Sequence, residues 1–67
     1  MNNILFTECE IIHKIRIEED IYQVRVKVVE IYEDTTKSRI EDHRIITRTV
    51  NGVLSVSSIQ VTAVVEI

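Results

Sequence analysis

Among the side chains of the types that do metal or nucleophile chemistry, Cys9, His13, Glu30, Glu41 and His43 are the five that a strand meander could bring together. A thiolate, imidazoles and carboxylates together make a zinc ligand set, and a thiol beside an imidazole makes an activated nucleophile. Both need the fold to gather the groups, because their spacing along the chain matches no compact motif. The sequence has no paired-cysteine metal motif, no His-x-x-x-His and no Gly-rich phosphate loop. The ordinary reading therefore takes precedence: Cys9 as a small hydrophobe, Glu30 and Glu41 as carboxylates at a wet sheet end, and the histidines bonded to their neighbours. Ser55, Ser57 and Ser58 read as exposed or bulge positions. The sequence assigns no catalytic residue, metal site or cofactor, and the protein is read as non-enzymatic.

The elements that must position any site follow from composition. The chain has 67 residues, 7.8 kDa, a net charge of −3, 45% hydrophobic and 28% charged residues. That is a globular balance and fits one domain, residues 1–67. Within the hydrophobic fraction stand twelve Ile and ten Val but two Leu, one Ala, one Gly, no Pro and no Trp. Side chains branched at Cβ fit a pleated surface better than a helix, so the expected fold is all-β. A single cysteine excludes an internal disulfide and points to a reducing compartment. The segment Met1-Asn2-Asn3-Ile4-Leu5-Phe6-Thr7-Glu8 has no basic region, and its apolar run is too short for a signal peptide or a span. The expectation is a cytoplasmic protein with no membrane contact. An Ile-, Glu- and Asn-rich chain poor in Ala, Gly and Pro is what an AT-rich genome encodes, and short chains of this kind are common in phages and mobile elements.

Four strands can be read from period-two alternation. Residues 5–18 set Cys9, Ile11, His13, Ile15 and Ile17 against Glu10, Lys14, Arg16 and Glu18, and Glu19-Asp20 then suits a tight turn. Residues 21–33 alternate until Val28-Val29, where either a bulge resets the register or both faces are buried. The polar cluster over 33–38 predicts a wider turn, with a third strand from about Arg39 to Val50. Ser38-x-x-Glu41 has the form of a helix capping box, but the Ile-Ile-Thr-Arg-Thr-Val run favours a strand. Asn51-Gly52 is the strongest local signal, since a type I′ turn needs φ > 0 at both central residues. The last strand, from Val53 to Ile67, changes parity at Ser57-Ser58, where a bulge would keep Leu54, Val56, Ile59, Val61, Ala63, Val65 and Ile67 on one face. The expected architecture is a small antiparallel four-strand meander with long strands and bulges near 28–29 and 57–58. Its sheet is packed against a second subunit or curled into a small barrel.

Two-residue turns at 19–20 and 51–52, with Ile31 opposite Ile40, place Cys9, Glu30 and Glu41 at one end of an apolar face with His43 and His13 nearby. The opposite face then gathers Lys14, Arg16, Arg25, Lys27, Arg44 and Arg48, with Lys14 opposite Arg25 and Lys27 opposite Arg44. Such pairs repel unless acids or anions lie between them. No helix is available to cover the apolar face, so a homo-oligomer is expected, most simply a dimer, with Ile59, Val61, Ala63, Val65 and Ile67 near the interface. The leading functional expectation is an oligomeric β protein that binds another macromolecule. It has the character of a phage or mobile-element accessory protein that inhibits or modulates a larger host protein. The alternatives are binding of nucleic acid or an anionic ligand through the basic face, and a virion or scaffold component.

Overall fold

Strand-favouring residues occupy nearly the whole chain, and in the computed structural model they form four strands: β1 (Ile4–Glu18), β2 (Ile21–Tyr32), β3 (Thr36–Val50) and β4 (Val53–Glu66). The structure describes residues 3–67; Met1 and Asn2, part of the N-terminal segment considered above, lie outside the described residues. The strands form one antiparallel meander in the order β1-β2-β3-β4. The sheet stays open: β1 pairs only with β2 and β4 only with β3, so no barrel closes. No helix among the described residues is long and apolar enough to cross a membrane.

The turns carry the local logic. Asn51 and Gly52 have φ of 52° and 77°, as a primed hairpin turn requires, and Val50 pairs with Val53 across them. At the β1–β2 turn the Arg16 guanidinium bonds the carbonyls of Glu18 (3.3 Å) and Glu19 (3.0 and 2.7 Å). The Asp20 carbonyl there accepts the Thr47 N–H at 2.8 Å and the Thr47 hydroxyl at 3.2 Å, which ties this turn to β3. The middle turn is shorter than its polar composition suggests. Tyr32 N–H bonds Thr35 O at 2.8 Å, and β3 already begins at Thr36. Thr35 and Thr36 are β-branched, so polarity there does not imply a loop.

That shorter turn corrects the middle register: Ile31 lies opposite Thr36, not Ile40. The displacement of four positions is even, so each β3 residue keeps its face but meets a different neighbour. The predicted bulge near 28–29 is absent. β2 and β3 pair without a break, and Val28 is buried while Val29 is half-buried. The register shifts fall on the edge strands instead, between Ile4 and Phe6, Ile11 and His13, and Arg16 and Glu18 on β1. On β4 the shift at Ser57 agrees with the sequence, but a second one falls at Thr62, which no change in apolar parity had marked. The Thr62 hydroxyl bonds Asp42 O at 3.2 Å and accepts from Gln23 at 3.1 Å, so the extra residue is held by side-chain bonds.

These shifts decide which residues share a face. One face carries Tyr22, Val24, Val26 and Val28 on β2, with Ile45, His43, Glu41 and Arg39 opposite them on β3. On β4 it continues through Leu54, Val56, Ile59, Val61 and Val64. Beyond the second shift Ala63 and Val65 lie opposite Asp42 and Ile40, on the reverse face, so they do not share a surface with Ile59 and Val61 as the sequence had suggested. The sheet has almost no core of its own. Among the described residues Val24 and Val28, each 5% exposed, are the buried hydrophobic ones, and Thr47 joins them at 9%.

Candidate functional site

The half-buried charges of the apolar face form one linked network built on the β2–β3 pairing. Arg39, opposite Val28, donates through Nη1 to Glu30 at 2.6 Å and through Nε to Glu41. The other Glu41 oxygen bonds His43 Nε2 at 2.8 Å. Two-residue spacing along β3 brings Arg39, Glu41 and His43 to the same face. Hydrogen bonds from Arg39 and then His43 hold the Glu41 carboxyl below its ordinary pKa, and Glu41 in turn raises that of Arg39. On the reverse face Arg25 lies directly opposite Asp42, with bonds of 2.8 and 3.2 Å that lower the Asp42 pKa and raise that of Arg25.

The chemistry-bearing residues therefore gather only in part. Glu30 and Glu41 come together through the Arg39 guanidinium that bonds both, and His43 bonds Glu41 directly. Cys9 is exposed on β1 opposite Val28. His13 lies opposite Arg25 on the reverse face, not beside His43. No cluster of three or more metal-ligating side chains occurs among the described residues. Two shallow concavities of about 330 and 390 Å3 flank this end of the sheet, one beside Glu30, Arg39 and Glu66, the other beside Cys9, Glu10 and Lys27. Arg39 was absent from the sequence-derived constellation. Its signal was charge complementarity: Glu30 opposite Glu41 is a like-charge pair, and a register placing an arginine between them removes it.

The six basic residues do not form one patch. The β1 shifts put Lys14 opposite Val24 and Arg16 opposite Tyr22, on the apolar face, while Arg25, Lys27, Arg44 and Arg48 stay on the reverse face. The predicted Lys14–Arg25 and Lys27–Arg44 neighbours are replaced by Glu10 opposite Lys27 and Asp42 opposite Arg25. Glu8, Glu10, Glu18 and Asp42 balance the four cations of that face. Arg44 and Arg48 are exposed and stand outside the ion pairs found among the described residues.

The depressed carboxyls fix a pH response. Each of Glu41 and Asp42 has a folded pKa below its unfolded value, so its stabilisation is fully present above the unfolded pKa and is lost as pH falls through the folded one. The urea midpoint should hold steady from pH 7 to about 5 and fall below about pH 4. The paired variant Glu41→Gln/Asp42→Asn should show a flatter profile; an unchanged profile would contradict the assignment. Comparison of the chain with protein-family models, with curated proteins and with solved structures finds no match.

Proposed function

We propose that this chain is a non-enzymatic, oligomeric β protein whose work is to bind another protein, in the manner of a small phage or mobile-element accessory protein acting on a host protein in the cytoplasm. The observation that carries the reading is the balance of apolar surface. Among the described residues sixteen large hydrophobic side chains are at least 45% exposed, against two that are buried, so the sheet needs macromolecular cover. Monomeric proteins seldom leave large apolar patches open to water. Of the residues best suited to chemistry, Glu30, Glu41 and His43 are engaged in ion pairs and Cys9 and His13 lie apart from them, which supports binding over catalysis.

Recognition of the host protein is assigned to the charged face, centred on Arg44 and Arg48. Arginine is enriched among residues that dominate binding energy, and these two offer guanidinium groups that no acid among the described residues pairs. Nucleic acid is the less favoured ligand, because acids interleave the cations of this face and Lys14 and Arg16 lie on the other. The test is affinity purification from extract at physiological salt, using tagged wild-type chain and the variant Arg44→Glu/Arg48→Glu. A discrete protein should co-purify with the wild type and be lost with the variant. Recovery of no specific protein, of nucleic acid instead, or of the same protein with both chains would overturn the reading.

A further inference from the structure

We propose that a second copy of this chain covers the apolar face, the two sheets packing face to face over the Glu30–Arg39–Glu41–His43 network. The inference rests on the oligomeric part of the reading above and names its surface.

Area supports it first. The chain exposes 5249 Å2, whereas a compact monomer of its mass exposes about 4,400 Å2. The excess, about 850 Å2, is close to the roughly 800 Å2 that each partner gives to a standard interface. The radius of gyration, 15.0 Å, likewise exceeds the roughly 11 Å of a compact chain this long.

The excess has a location. Leu54, Val56, Ile59, Val61 and Val64 form a stripe along β4, each 53 to 61% exposed, and all on the apolar face. On the reverse face β4 presents Ser55, Ser58 and Gln60 through its middle, with Val53, Ala63 and Val65 toward its ends, so the unbroken apolar run lies on the other face. At one end β2 stops at the Ile21–Ile46 pair, and the β3–β4 hairpin runs on through Thr47–Val56, Thr49–Leu54 and Val50–Val53 as a two-stranded ribbon. A bare ribbon of two strands is marginal in water. A facing sheet would support it.

The charges on this face fit the same occupant. Burying an unpaired charge is costly, but Glu30, Arg39, Glu41 and His43 already satisfy one another. No buried side-chain N or O lacks a hydrogen bond among the described residues, and Lys14 and Arg16, which lie on the β1 side of this face, are exposed and long enough to carry their charges to the rim of the contact. A two-fold contact sets one patch against itself, and an apolar stripe is complementary to its own copy. The shifts along β1 and β4 disfavour the competing arrangement, since bulged edges are poor templates for adding a strand.

Sedimentation equilibrium of the full chain tests this with two substitutions on β4. Wild type should run at twice the 7.8 kDa chain mass. Val61→Lys, on the apolar face, should weaken association about 100-fold or more, or leave the chain unfolded. In an uncovered sheet that position is 56% exposed and should accept lysine readily, so either result reports a covered face. Val65→Lys, 58% exposed on the reverse face, should keep the dimer mass. A folded wild type at the single-chain mass would overturn both this inference and the oligomeric reading. A dimer indifferent to Val61→Lys, or equally lost with Val65→Lys, would overturn the face assignment alone. Large concentration-dependent assemblies would overturn it in favour of growth along the edges.

Discussion

Replacing Val24 by lysine should abolish folding. Val24 is 5% exposed and sits in the cross-strand row Lys14–Val24–His43–Val61, where no acid faces it. An ammonium there is desolvated beside Lys14 and has no counterion in the row, a cost of several kcal/mol. A chain of this length has about 3–10 kcal/mol of total stability, so the substitution removes most or all of it. It also removes one of the two hydrophobic side chains that are buried among the described residues. Far-UV circular dichroism should show loss of the strand signal in Val24→Lys and its retention in Val65→Lys. A cooperative urea transition in Val24→Lys with the wild-type midpoint would contradict the placement of Val24 at the centre of the sheet.

The second large effect belongs to the β3–β4 turn. Gly52 has φ +77°, and a Cβ built there would meet nothing within 4 Å. Any penalty on substitution is therefore conformational rather than steric crowding by neighbours. Valine is a poor occupant of positive φ, and Gly52→Val should cost about 1–3 kcal/mol. For a domain of this size that is a fall in Tm of about 4–8 °C for each kcal/mol. Gly52→Asn should cost less, because asparagine tolerates the left-handed region, as Asn51 does at φ 52°. Equal losses for valine and asparagine in thermal unfolding would show that backbone conformation is not what Gly52 supplies.

Strand type, strand order and the Asn51-Gly52 hairpin were legible because each rests on local chemistry: β-branching, period-two alternation and tolerance of positive φ. Registers were legible only where a turn fixed them. From Asn51-Gly52 the predicted pairing holds from Val50–Val53 to Thr47–Val56, and the Ser57 shift could be seen in the change of apolar parity from Val56 to Ile59. Thr62 offered no such sign. Its extra residue is accommodated by hydrogen bonds to Asp42 and Gln23, partners distant in sequence.

The middle turn is obscured for a different reason: threonine is polar enough for a loop and is also a strand former. The information needed to correct it was present in the charges. A register four positions shorter brings Asp42 opposite Arg25 and Lys37 opposite Glu30, and sets Arg39 between Glu30 and Glu41. The longer turn instead faced Glu30 with Glu41. Lys37 also reaches over the Tyr32 ring, 5.4 Å from its centre, which helps close the shorter turn. The same lesson holds for β1, where the shifts put Glu10 opposite Lys27 and remove Lys14 from Arg25. Apolar pattern chose the face of each residue on the central strands, and charge pairing chose its neighbour.

Methyl NMR of the wild-type chain with a soluble paramagnetic probe distinguishes an apolar face covered by a second copy from an open one. In a single chain Leu54 and Val61 on one face and Val53 and Val65 on the other are all more than half exposed, so the probe would broaden the four alike. In the face-to-face dimer the Leu54 and Val61 methyls should be protected while those of Val53 and Val65 are broadened. Equal broadening of all four in the folded protein would contradict the account.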